Sequence, residues 1–336
     1  MKPTSSQIGY LVLLALLLAL PALGAYPVFV MKVLCFALFA CAFNLLIGFT
    51  GLLSFGHAAF FGGAAYVAGH ALKVWGLPVP AALGVAMLVG AGIGLVFGWL
   101  AIKRSGIYFS MITLALAQML YFYFLQAPFT GGEDGLQSVP RGSFFGLSLE
   151  NDQHLYYVVV GIVAAAFWLI YRVVHSPFGQ VLKAIRENEP RAISLGYDVH
   201  RYKLLAFVLS AALAGLAGAL KTNILGFATL TDAIWTTSGA VILMTLVGGM
   251  GTMIGPVVGA VVVIALENKV GDVGAWLAGV TGVDWFNSLG EAVTIVTGLI
   301  FVLCVLLFRR GVVGELGALF QALRKRGAAA NSMKSH

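Results

Sequence analysis

Residues 81–102 read Ala81-Ala82-Leu83-Gly84-Val85-Ala86-Met87-Leu88-Val89-Gly90-Ala91-Gly92-Ile93-Gly94-Leu95-Val96-Phe97-Gly98-Trp99-Leu100-Ala101-Ile102. No charge interrupts them, and about 20 apolar residues are enough to cross a bilayer as a helix. Ala82, Ala86, Gly90, Gly94 and Gly98 recur every four residues, a small-residue stripe down one helix face. Such a stripe lets a neighbouring helix approach to backbone distance. The stretch predicts an all-α, polytopic helical bundle in a membrane and excludes a porin-type barrel, whose strands alternate apolar and polar residues. Ala211, Gly215 and Ala219 repeat the device, as do Gly255 and Gly259. Packing within the chain is the favoured reading over a dimer seam.

The rest of the chain agrees. Of 336 residues, 60% are apolar and 10% charged, where a soluble domain carries about 25% charged residues. A globule with so few charges could not solvate its surface. Cys35, Cys41 and Cys304 lie in apolar runs and are odd in number, so they read as small buried hydrophobes rather than a disulfide set or metal cluster. The net charge of +7 follows the loops and is no nucleic-acid footprint.

Apolar runs fall near 8–26, 28–49, 57–77, 81–102, 107–127, 155–174, 203–226, 238–249, 253–267 and 291–308. The run 238–249 is short, and either spans or is re-entrant, which is permitted where protein surrounds it. Lys103, Arg104, the segment from Arg172 to Lys203 and the tail from Arg309 hold most of the basic residues. The connections 128–154 and 268–290 carry Glu133, Asp134, Glu150, Asp152, Asp272 and Asp284 against Arg141 and Lys269. The positive-inside rule puts the first set in the cytoplasm and the second outside. About ten crossings with both termini cytoplasmic satisfy every assignment. The expected division is a first helix over 1–27, which also resembles a cleavable signal segment, a transmembrane domain over 28–308, and a basic cytoplasmic tail over 309–336.

Several chemistries are missing from the sequence. It contains no G-x-x-x-x-G-K-[ST] loop for ATP phosphates, no H-E-x-x-H, no C-x-x-C and no G-x-S-x-G. The chain is therefore expected not to be an enzyme and to carry no metal or cofactor of its own. Lys32, Lys73, Lys221, Glu267 and Glu291 sit near span ends, where snorkelling accounts for them. Without a mid-membrane carboxylate or cation site, energy must come from elsewhere.

Residues 175–203 form the longest internal connection. Ser176 is a candidate cap with Pro177 at the first helical position, and Asn188 or Glu189 caps a second helix with Pro190 first and Gly196 as its stop. That second helix, expected over Pro190–Leu195, is too short to persist alone and needs packing. Ala192, Ile193 and Leu195 offer apolar contact; Arg186, Arg191 and Arg201 offer charge. It reads equally as a structured cover for the bundle or as a receiver of force from a soluble partner.

Here the residues carry a resemblance. Ala184-Ile185-Arg186-Glu187-Asn188-Glu189 through Ala192 and Leu195-Gly196 resembles the coupling loop of ABC-importer permeases. Arg201, Lys203, Ala206-Phe207, Ser210 and Ala214-Gly215-Leu216-Ala217-Gly218-Ala219-Leu220 are similar to its branched-chain amino acid subfamily, as are Asn44 to Ala58, Thr130 to Leu136 and Gly248 to Pro256. One departure stands out. In the importer pattern E-A-A-x-x-x-G, Pro190 occupies the glutamate position and Arg191 the middle alanine, with Glu187 and Glu189 the nearest acids.

The resemblance implies a translocating subunit of an ATP-driven importer in a bacterial inner membrane. Its partners would be two ATPase subunits that use ATP and magnesium, a second homologous permease and a periplasmic solute-binding protein. The solute would be leucine, isoleucine or valine, or urea, a short amide or an aromatic acid. Arg186, Glu187, Glu189, Pro190, Arg191, Ala192, Leu195 and Gly196 would couple to the ATPase. Candidates for the translocation path are the polar residues at membrane depth: Asn44, Thr50, Ser54, His57, Ser110, Thr113, Gln118, Asn223 and Thr245. Thr50-Gly51 and Ser54 to His57 interrupt the apolar pattern, either as a tight helix–helix turn or as a cavity lining. A self-sufficient carrier or channel is the rival reading and would need a buried charge for flux.

Overall fold

The computed structural model describes residues 13–24 and 26–281, with isolated positions between 295 and 315. The expected span 291–308 and the tail 309–336 lie outside the described residues apart from those positions, as does the start of the first span. The chain divides into two compact units, residues 1–240 and 241–336, described here separately.

In the first unit residues 13–19 are helical and pass into a 3-10 turn, Leu20–Leu23. The carbonyl of Leu17 accepts from the Tyr156 hydroxyl at 2.5 Å. Eight helices follow: α1 (Pro27–Thr50), α2 (His57–Lys73), α3 (Val79–Ala101), α4 (Ile107–Gln126), α5 (Asp152–Val174), α6 (Pro177–Glu187), α7 (Glu189–Ser194) and α8 (Val199–Leu225). Between α4 and α5 a small hairpin pairs β1 (Ser143–Phe144) with β2 (Leu147–Ser148), Ser143 opposite Ser148. Among the described residues five helices, α1, α3, α4, α5 and α8, are long and apolar enough to cross a membrane. α2 stops at Lys73, short of the expected 77, and has 17 residues.

α8 is the axis of this unit. Ser210 to Ile224 is buried without a break, the mark of a helix enclosed on all sides, and α1, α2 and α3 pack around it. The stripe on α3 meets it directly. A Cβ at Gly90 would lie 2.8 Å from the Ala211 carbonyl oxygen, and one at Gly94 would strike the Ala211 methyl. A Cβ at Gly215 would lie 3.0 Å from Ala64 of α2 and 3.1 Å from the Ala86 carbonyl oxygen of α3. Both stripes therefore serve packing inside the chain.

The ninth helix, α9 (Trp235–Gly248), is an unbroken helix of 14 residues. In the second unit its last turns face α10 (Gly255–Thr281). A Cβ at Gly248 would meet the Gly255 carbonyl and one at Gly259 the Met244 carbonyl, so this hairpin closes at backbone distance. α10 corrects one expectation. It runs 27 residues, past the expected end at 267 and into the stretch 268–290 assigned to an external connection. Charges that suggested a loop are tolerated on the helix because Lys269 pairs with Asp272 one turn on, at 2.8 Å.

Candidate functional site

Helix capping builds the segment between α5 and α8. The Ser176 hydroxyl accepts from Gly179 N and starts α6; the Asn188 side chain accepts from Arg191 N at 3.1 Å and starts α7. Pro190 thus sits at the second helical position rather than the first, still where its missing N–H costs nothing. Ala192 packs inward with Ile185 and Val199. Ile193 and Leu195, expected to help hold the helix, instead point outward, 58% and 67% exposed. Pro190, Arg191 and Glu187 are also exposed. Gly196 ends the segment at φ +86, with nothing within 4 Å of where a Cβ would stand.

Two polar contacts tie this segment into the bundle. Lys203, at the start of α8 and buried, pairs with Glu189 of α7 at 2.7 Å. The Arg186 guanidinium donates to the Gly48 carbonyl in the last turn of α1. Its Cγ lies 3.3 Å from where a Cβ on Gly51 would be, and Gly51 has φ +76. Only glycine accepts that backbone at no steric cost, so Gly51 both ends α1 and leaves room for the arginine.

The sequence break after α1 is an irregular, largely buried segment, residues 51–56, laid against α4. Phe55 N donates to the Thr113 hydroxyl at 3.2 Å, Ser110 donates to the Leu53 carbonyl at 2.7 Å, and Gly56 N donates to the Ser54 hydroxyl at 3.2 Å. Thr50 turns back to the Leu46 carbonyl. The hydroxyls thus satisfy backbone groups that water would otherwise have to reach. His57 opens α2 with its Nε2 2.8 Å from the Ser210 hydroxyl, which donates to the Ala42 carbonyl. Phe43, Phe60 and Phe207 enclose the ring edge-on, and Nδ1 has no partner.

Of the path candidates, the structure brings Thr50, Ser54, His57, Ser110 and Thr113 into this one region. Gln118 and Asn223 lie elsewhere in the first unit. Asn44 is buried within α1. Gln118 sits farther along α4, its Oε1 buried without a hydrogen bond. Asn223 donates to the Arg141 carbonyl at 3.0 Å near the far end of α8. Thr245, in the second unit, donates back to Val241 at 2.8 Å.

Sequence reasoning missed a buried ion pair. Lys221, taken as a snorkelling residue, is 6% exposed and lies 2.7 Å from Asp232, 9% exposed. Asp232 ends the 3-10 turn Leu230–Asp232. The one signal was Lys221 itself, 18 residues beyond Lys203 on α8 and so about 27 Å along its axis, too deep for the α6–α7 end. A two-way bridge between Leu136 and Ala228 brings the 128–150 connection onto the same end.

A close-packed bundle of apolar helices, with a capped polar segment at one end and a buried charge pair at the other, defines a helical membrane protein. The comparisons make the class specific. A family described as "Branched-chain amino acid transport system / permease component" matches residues 28–307, and the chain belongs to that family. It is 27% identical over 253 residues to the high-affinity branched-chain amino acid transport system permease protein LivM of Salmonella typhimurium, and 26% identical to that of Escherichia coli. Each alignment covers 68% of this chain and 60% of the relative, so the chain spans about 60% of the length of these proteins. The ribose import permease protein RbsC of Bacillus subtilis is 30% identical over 58% of both chains. No solved structure matches.

Proposed function

We propose that this chain is the translocating subunit of an ATP-driven ABC importer in a bacterial inner membrane, taking up branched-chain amino acids. The observation that carries the reading is the outward-facing Ile193 of a short helix and Leu195 at its C-terminal cap, the helix's other face being anchored by Ala192 and the Glu189–Lys203 pair. Neighbouring exposed apolar side chains rimmed by exposed charge on a capped element suit the docking of another protein.

In this reading the segment 175–203 receives a separate ATPase, and Glu187, Pro190, Arg191, Leu195 and Gly196 form the docking rim. Arg186 and Lys203 carry its displacement to α1 and α8, whose ends flank the polar region around His57. Thr50, Ser54, His57, Ser110 and Thr113 line the inner end of the path. Two ATPases, which use ATP and magnesium, a second permease and an external solute-binding protein complete the assembly; the acidic connection 128–154 faces the last of these. Ten crossings put residues 1–27 in a first helix, 28–308 in the transmembrane domain and the basic tail 309–336 in the cytoplasm. Lys103 over Trp99 and Arg172 over Trp168, at the ends of α3 and α5, support that orientation, since Lys and Arg flank spans on the cytoplasmic side and aromatic residues mark the interface itself.

The test is uptake of radiolabelled leucine into vesicles carrying the assembled complex. ATP-dependent accumulation is expected. Accumulation that proceeds without the ATPase would replace this reading with a self-sufficient carrier.

A further inference from the structure

The Lys221–Asp232 pair is the most deeply buried ion pair among the described residues. Asp232 also accepts from Thr229 N at 3.1 Å and from the Thr229 hydroxyl at 3.3 Å, and the Phe227 ring centroid lies 4.5 Å from the Lys221 ammonium. Replacing a buried ion pair with apolar residues is often neutral or stabilising. Stability alone is therefore a weak reason for a chain with so few charges to keep one here.

Two further observations point to a ligand. The Tyr66 hydroxyl, on a side chain fully buried in α2, has no hydrogen-bond partner, and neither has the Thr222 hydroxyl, next to Lys221. Tyr66 belongs to a cluster with Ala228, Leu230 and Ala233, the residues on either side of Asp232, and is within electrostatic range of that carboxylate. Two of the four buried polar atoms without a partner among the described residues are thus hydroxyls next to this pair, and such groups call for a hydrogen-bonding partner. The pair also sits under the 226–234 connection, at the end of α8 opposite the α6–α7 segment.

We propose that Lys221 and Asp232 form a latch that a zwitterionic solute opens, its carboxylate taken by Lys221 and its ammonium by Asp232, with the Tyr66 and Thr222 hydroxyls as further partners. This rests on the importer reading and assigns the recognition of the solute's zwitterionic head to this pair. The selectivity follows from charge balance. Separating the pair leaves two opposite charges in apolar surroundings, each costly if unpaired. A zwitterion compensates both at once. A carboxylate or an amine alone strands one of them, and urea or a sugar strands both. Because α8 runs from Lys203, tied to Glu189, to Lys221, the same helix links the docking segment to the latch.

The experiment compares the wild-type complex with one carrying Lys221→Met and Asp232→Asn together, a double variant that leaves no lone buried charge. Vesicles are loaded with ATP and given leucine, urea or ribose in the presence of the same binding protein. Wild type is expected to accumulate leucine alone. The double variant is expected to insert, assemble with the ATPase and keep its thermal midpoint, while leucine uptake falls about tenfold or more with a raised KM, as lost charge-assisted contacts predict. Leucine uptake within about twofold of wild type, or a double variant that fails to insert, would show the pair to be a structural tie and overturn the latch. Wild-type preference for urea or ribose would overturn the latch and leave the importer standing; no ATP-driven uptake of any solute would overturn the importer reading itself.

Discussion

The Arg186 guanidinium donates to the Gly48 carbonyl, 138 residues away in sequence. It thereby caps the last turn of α1 from the segment that carries the exposed Ile193 and Leu195. A helix C-terminus presents carbonyls without intrahelical partners and a partial negative charge, so a cation there is favoured twice. The contact ties the end of α1, just before the polar segment 51–56, to α6.

Arg186→Met should lose this cap while keeping most of the side-chain length. A hydrogen bond to a charged group is worth about 1.5–3 kcal/mol, and partial exposure places the loss at the lower end. The variant is expected to insert and bind the ATPase but to couple ATP hydrolysis to uptake poorly. Thermal unfolding and the ratio of solute moved to ATP hydrolysed measure the two effects. An unchanged ratio would remove Arg186 from the coupling route.

Two glycines on α3 offer a contrast within one helix. Gly94→Leu drives a side chain into Ala211 of α8, whereas Gly92, on the exposed side, has nothing within 4 Å of its Cβ position. Overpacking costs about 1–3 kcal/mol, so the first variant is expected to lower the thermal midpoint and the second to leave it in place. Equal midpoints would contradict the α3–α8 packing.

The membrane class, the small-residue stripes, the helix cap at Ser176 and, to within one residue, the cap at Asn188 were legible in the sequence because each is a local pattern. The same holds for Gly196 as the stop of the second helix. The length of α10 was not, because Lys269 and Asp272 read as loop residues until an ion pair one turn apart is seen. Nor was the role of Lys221, whose partner lies 11 residues on in a 3-10 turn, a tertiary contact that no periodicity encodes. Among the path candidates, hydroxyls at membrane depth were visible, but that five of nine gather around residues 51–56 depends on how α1, α2 and α4 meet.

Topology is tested by labelling. Ser138 and Ser194 are both exposed, on connections assigned to opposite sides. Cysteines introduced there should react with an impermeant maleimide only from outside and only from inside, respectively. Reaction of both from one side would refute the ten-span arrangement.

Gly196→Val tests the exit from α7. The new side chain meets no neighbour, so its effect is confined to the backbone, where a β-branched residue at positive φ costs on the order of 1–3 kcal/mol. The permease is expected to remain in the membrane with reduced ATPase co-purification and little ATP-driven uptake. Normal uptake would mean that the geometry of this turn is irrelevant to coupling.

The central claim is that the outward face of α7 and its exit receives a separate ATPase. Its most direct test is co-purification of that ATPase with a permease carrying Ile193→Glu and Leu195→Glu. Both side chains are more than half exposed, so the substitutions leave the interior of the chain untouched. The account predicts that the variant inserts with wild-type thermal stability and loses the ATPase, at a cost of about 2 kcal/mol or more for burying charge at a docking surface. A variant that retains the ATPase at the wild-type level would contradict it.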